Sequence, residues 1–192
     1  MTPPTVLIVP GLRDHAEQHW QTLLERELPR VRAVPPMGRD DLDCAKRVAA
    51  IEQAAAAIDG PIVIVAHSGG VVMVAHWAAQ TRVQVQGALL AAPPDFESPL
   101  PEGYPSAQAL AANGWTPMPR APLPFPSVVA ASTNDPLGAL DRVVVLARQW
   151  GSQLVNAGAV GHLNPASGHG EWPMAITLLE TMGVPVRSVA LA

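Results

Sequence analysis

The chain has 192 residues and a formal net charge of −4, from 12 basic and 16 acidic side chains. Charged residues make up 15% against 48% hydrophobic ones, below the roughly 25% charged typical of globular proteins. This excludes a disordered chain and predicts one core. No Lys/Arg cluster interrupts the acidic balance, which argues against nucleic acid or an anionic membrane as partner. In chain order, Thr5–Val9 predicts a buried strand ended by Pro10-Gly11. Residues 17–28 predict a helix with Trp20, Leu23, Leu24 and Leu28 on one side, and Val31–Val34 a short strand. Asp40-Asp41 is expected to cap a second helix, with Val48, Ile51, Ala55 and Ile58 at three- and four-residue steps and Asp59-Gly60 closing it.

Ile62-Val63-Ile64-Val65 is the most apolar strand segment. A continuous β-branched run fits a strand covered on both faces, as in a parallel sheet. His67-Ser68-Gly69-Gly70 follows, then a buried helix over 71–80. Val85–Ala92 predicts a strand, and 92–126 a proline-rich excursion without a clear period. Ser127–Ala131 is the next strand, Leu140–Trp150 a helix, and Gln153–Asn156 a last strand. Trp172, Ile176 and Leu179 mark a closing helix. Strands and helices alternate throughout, so the expected fold is a three-layer α/β/α domain over 1–183 with a mostly parallel sheet of order 2-1-3-4-5-6. A tail over 184–192 is expected to be loosely held. The single cysteine, Cys44, supports no disulfide framework. Met1-Thr2-Pro3-Pro4 lacks a basic, then apolar, leader pattern, and no apolar run is long enough to span a membrane. The expected compartment is the cytoplasm.

Ala66-His67-Ser68-Gly69-Gly70 lies between a strand and a helix and follows the pattern of a nucleophile elbow, with Ala in the first small position. A sharp strand-to-helix turn lifts a serine hydroxyl above the sheet. It also leaves the N–H of Gly69 unpaired at a helix N-terminus. The alternative is a Gly-rich connection with an incidental serine. In an open α/β sheet, ligands bind at the carboxyl ends of the strands, at the switch point. With order 2-1-3-4-5-6, Pro10-Gly11-Leu12 and Ser68 flank that point. Leu12 N–H is then a second candidate oxyanion donor beside Gly69, the alternative being a mere turn.

A weak serine needs a base, and the base an orienting acid. Asp135 follows the fifth strand and His162 the sixth, on the same sheet edge as Ser68. Asp135-Pro136 could also be a helix cap. Asp95, after the fourth strand, and Asp141, inside a predicted helix, rival Asp135, and His169 rivals His162. His67 reads as cavity wall or packing, and His76 as a core residue. His15 and His19 with Glu17 between them lack the H-E-x-x-H order of a zinc site, so no metal is expected. Cys44 is expected to be unreactive.

These segments resemble a family of small serine hydrolases that includes retinoblastoma-binding protein 9 and the bacterial YdeN-type proteins. The resemblance rests on Val9-Pro10-Gly11 with His19-Trp20, on Ala66–Gly70, and on Leu123-Pro124-Phe125-Pro126-Ser127. It continues in Ala131-Ser132-Thr133-Asn134-Asp135-Pro136, Trp150-Gly151-Ser152, Gly161-His162-Leu163-Asn164 and Ser167-Gly168-His169-Gly170-Glu171-Trp172-Pro173. It implies a compact α/β-hydrolase fold without a large cap, and a triad on Ser68, Asp135 and His162. The chain departs at Leu137-Gly138, where the family often carries an aromatic. Leu42-Asp43-Cys44-Ala45-Lys46 has Lys where the retinoblastoma-binding L-x-C-x-E string needs Glu, so that partner is not implied. The expected substrate is a small, hydrophobic ester, thioester or amide, hydrolysed without a cofactor. Expected pocket residues are His67, Trp115, Phe125 and Leu137, although Trp115 and Phe125 could equally pack on the core. The alternative is a non-catalytic binding module on the same fold.

Overall fold

A computed structural model describes residues 2–13 and 16–186. Six strands form one sheet: β1 (Thr5–Val9), β2 (Val31–Ala33), β3 (Ile62–His67), β4 (Val85–Ala91), β5 (Ser127–Ala131) and β6 (Gln153–Asn156). All pairings are parallel and the order is β2-β1-β3-β4-β5-β6, as the alternation of segments predicts. The helices are α1 (Trp20–Glu27), α2 (Cys44–Ala56), α3 (Gly69–Ala78), α4 (Ala107–Ala112), α5 (Leu140–Trp150) and α6 (Pro173–Thr181). Among them none is long and apolar enough to cross a membrane.

The two-residue period of a strand divides the core. Leu7, Val9, Ile64, Ala66, Leu90 and Val129 face α2, α3 and α5. Val6, Ile8, Val63, Val65, Leu89 and Ala130 face α1 and α6. Both faces are covered, which explains why β3 is apolar from Ile62 to Ala66. Four tryptophans, Trp20, Trp77, Trp115 and Trp150, are almost wholly buried.

Helix ends differ from the sequence expectation where side chains compete for caps. Asp43, not Asp40-Asp41, caps α2, its Oδ1 accepting Lys46 N–H at 3.0 Å. Asp41 instead accepts the N–H of Asp43 at 3.1 Å, a bond that holds its carboxyl below the ordinary range. α1 begins at Trp20 because the His19 ring accepts the N–H of Gln21. The short α4, capped by Ser106, interrupts the excursion that the sequence left without structure. This excursion is pinned to α5 by Arg142 on Asp95 (2.9 Å) and by Trp150 Nε1 donating to Pro119 O (2.9 Å). Of the expected loose tail, Val184 is buried and its N–H donates to Leu179 O; residues 187–192 lie outside the described residues.

Candidate active site

The site is built where β3 turns into α3. Ser68 has φ 56° and ψ −131°, a conformation unusual for a residue with a side chain and worth about 1–3 kcal/mol of strain. Tight packing around it maintains that conformation. A Cβ on Gly70 would stand 2.5 Å from Val9 O and 2.6 Å from Pro10 O, and one on Gly11 would stand 3.1 Å from Ser68 Cβ. Glycine at both positions lets the β1 loop press against the elbow. Gln21, buried on α1, fixes the same corner, its Nε2 donating to Val9 O (3.2 Å) and Val65 O (3.0 Å).

Ser68 Oγ lies 2.7 Å from His162 Nε2, and His162 Nδ1 lies 2.8 Å from Asp135 Oδ2 and 3.0 Å from Oδ1. A donor at Nδ1 facing a carboxylate leaves Nε2 as acceptor, so the hydroxyl donates to the ring. Both partners are almost fully buried at the side chain, whereas Ser68 is half-buried and reachable. Asp135 Oδ1 also accepts the N–H of Leu137 at 2.9 Å. The two loops are tied beside the carboxylate–imidazole pair. Asn134 Oδ1 accepts Ser132 Oγ–H and, at 2.7 Å, the N–H of Gly161. At Gly161 (φ 58°) a Cβ would fall 2.5 Å from Ser167 Cβ, so only glycine fits there. Leu163, next to His162, has φ 49°, so strain collects at this rim.

His67 Nε2 donates to the backbone oxygen of His162 at 2.9 Å, holding the loop that carries the base. Its ring sits between those of His19 (4.6 Å) and His162 (5.0 Å). Burial, then the neighbouring His19 and His162, hold it neutral well below the ordinary histidine range. A neutral His67 does not oppose a cation forming on His162. Sequence reasoning had no signal for this bond, nor for the Asn134 bridge, because both join segments far apart in the chain.

The rivals take no part in this relay. Asp95 accepts from Ser98 Oγ (2.7 Å) and Arg142 Nε (2.9 Å). Burial raises its carboxyl, but these bonds outweigh it and hold it below the ordinary range. The backbone N–H of His169 donates to Asn164 O. His76 Nε2 meets Trp115 O at 3.2 Å. Cys44 is buried, which pushes its thiol up to about 11. Among the described residues no group of three metal-ligating side chains converges; His15 lies outside them.

Ser68 and His162 open into a cavity of about 560 Å³, within the size range of small-molecule sites. Two of the four expected wall residues, His67 and Leu137, line it. Trp115 and Phe125 do not. Trp115 is fully buried, donates Nε1–H to Leu42 O at 2.7 Å and meets Phe96 edge-on, while Phe125 packs near Trp77. The excursion instead reaches the cavity through Phe96 and Gly103-Tyr104-Pro105. Leu12 lines it too, and a Cβ on Gly69 would stand 3.5 Å from Leu12 N. The two amides expected to face an oxyanion are therefore neighbours. Gly69 opens α3, where no helical carbonyl accepts its N–H.

A family model described as serine hydrolase matches residues 6–181. Among solved structures, a YdeN-like hydrolase from Pectobacterium atrosepticum is 27% identical, covering 95% of this chain and 94% of its own, with a TM-score of 0.81. The ydeN gene product of B. subtilis is 17% identical over 93% of this chain and 98% of its own, TM-score 0.65. Est1E from Butyrivibrio proteoclasticus, solved with ferulic acid bound, is 16% identical over 92% and 88%, TM-score 0.61. The last two likenesses are of fold. No curated protein sequence matches the chain.

Proposed function

Because this chain belongs to the serine hydrolase family, with residues 6–181 matching its model, we propose that it hydrolyses a small carboxylic ester through an acyl-enzyme on Ser68. The observation that carries this reading is the unbroken relay of 2.7 Å from Ser68 Oγ to His162 Nε2 and 2.8 Å from His162 Nδ1 to Asp135 Oδ2. His162 takes the hydroxyl proton as Ser68 Oγ bonds to the ester carbon. Asp135 holds the ring in the tautomer with Nε2 free and stabilises the imidazolium. The N–H groups of Leu12 and Gly69 are the donors for the oxyanion, each worth on the order of 10²- to 10³-fold. The carbon–oxygen bond of the ester then breaks, and the alcohol leaves with the proton from His162. Water, deprotonated by the same ring, frees the carboxylic acid and restores Ser68. The apolar Phe96 and Leu137 on the cavity wall favour an ester with a hydrocarbon portion.

A fluorophosphonate probe tests the assignment. The expected result is one adduct on Ser68 and no labelling of Ser68→Ala, whose kcat on p-nitrophenyl butyrate drops by up to about 10⁶-fold. Equal ester turnover by wild type and Ser68→Ala refutes the reading. Wild-type protein that neither labels nor turns over esters leaves a binding module on the hydrolase fold.

A further inference from the structure

The cavity above Ser68 has a lopsided charge. Arg13, from the loop after β1, and Arg39, from the segment before α2, both line it. Among the described lining residues there is no carboxylate. Both arginines are exposed. Neither has a carboxylate within ion-pair distance among the described residues. Near Arg39 in sequence, the carboxylate of Asp41 is engaged with Lys46 at 3.3 Å. The Arg13 guanidinium lies 4.6 Å from the ring centroid of Tyr104, which lines the cavity from the opposite loop. That stacking holds the cation at the mouth and leaves its N–H donors, which lie in the guanidinium plane, without a partner among the described residues.

The rest of the molecule sets the contrast. The chain carries a net −4, so a small anion gains nothing from the overall field. Two cations at one concave site, backed by Phe96 and Leu137, reverse that sign locally, and low-dielectric walls concentrate the effect. Guanidinium groups suit planar, two-oxygen recognition of a carboxylate.

From this we infer that the site takes esters that carry a carboxylate on the acyl chain or on the alcohol, held by Arg13 and Arg39 while Ser68 attacks the ester carbon. The inference rests on the serine-hydrolase reading above and adds the substrate class. The carboxylate takes no part in bond making. It stays charged through the acyl-enzyme if it lies on the acyl side, and leaves with the alcohol if it lies on the other.

The test compares kcat/KM for two matched pairs of esters. One pair is p-nitrophenyl hemiglutarate against p-nitrophenyl valerate, and the other is 4-carboxyphenyl butyrate against phenyl butyrate. In at least one pair the wild type is expected to favour the anionic member, relative to the spontaneous hydrolysis rates. The Arg13→Gln/Arg39→Gln variant should lower that anionic-to-neutral ratio about tenfold, close to 1.4 kcal/mol. Arg13→Lys/Arg39→Lys, which keeps both charges, should retain part of the ratio. Raising ionic strength from about 0.1 M to about 1 M, which shortens the Debye length from about 10 Å to about 3 Å, should lower the wild-type ratio as well. A ratio in both pairs that neither the Gln variant nor salt alters overturns the inference while leaving ester hydrolysis intact. Failure of the wild type on all four esters overturns the hydrolase reading, and this inference with it.

Discussion

At the scale of single residues, the site depends on side chains that hold others in place. Asp135 accepts both from His162 Nδ1 and from the N–H of Leu137. Asn in its place would keep the Leu137 bond through its oxygen but could present N–H to the ring and invert the tautomer. Asp135→Asn is therefore expected to lower kcat by about 10⁴-fold with an unchanged far-ultraviolet circular dichroism spectrum. Retained activity would move the orienting acid elsewhere. Ser68, Asp135 and His162 were legible in the sequence because each lies in the loop or turn that follows a strand, Ser68 directly after β3, Asp135 four residues past β5 and His162 six past β6, and a parallel sheet brings such ends to one rim. Arg13, Arg39, Phe96 and Tyr104 were not. They lie in loops where neither period nor spacing says which way a side chain points. Trp115 and Phe125 were ambiguous because an aromatic in an irregular stretch is apolar in either role. What decides for Trp115 is the carbonyl of Leu42, to which its buried indole donates.

At the scale of elements, the corner between β1, β3 and α3 is packed backbone against backbone. Gly70 carries no Cβ because Val9 O and Pro10 O, both backbone atoms, occupy that space at 2.5 and 2.6 Å. Rotating a side chain cannot relieve such a clash, so Gly70→Ala must push the β1 loop away from α3. The expected cost is about 1–3 kcal/mol of stability, read from urea denaturation. Activity should fall too, because the displaced loop carries Leu12. A Gly70→Ala protein of wild-type stability and rate would show that the loop is free to shift. β1 and β3 were predicted almost to the residue because their β-branched runs adjoin Pro4, Pro10 and Pro61. Helix starts were less legible. Asp40, Asp41 and Asp43 are all competent caps, and the choice of Asp43 follows from Asp41 bonding the Asp43 N–H instead. The six-residue α4 is too short for a helical period to register.

At the scale of the whole molecule, two buried groups link stability to pH in different windows. The unfolded chain titrates His67 near the ordinary 6.5, whereas folding holds it neutral to well below that. Between those values the unfolded state binds the extra proton, so this stability is complete above about pH 6.5 and is lost as pH falls through the window. Asp95 is held below its ordinary 3.8 by Arg142 and Ser98, and its contribution is lost only as pH falls below about 4. Tm from scanning calorimetry should thus decline in two stages on acidification. His67→Gln, which retains a donor toward His162 O but cannot take the proton, should flatten the first stage and spare the second. An unchanged first stage in that variant would assign it to other groups. The two borders of the sheet carry a separate consequence. β2 has three residues with exposed Arg32 at its centre, and β6 has four between Gln153 and Asn156. Neither border offers a second molecule a long, flat template for adding strands. Short margins, one of them carrying a charge, guard against runaway polymerisation, a safeguard that matters for a chain whose interior strands are mostly Val, Ile, Leu and Ala.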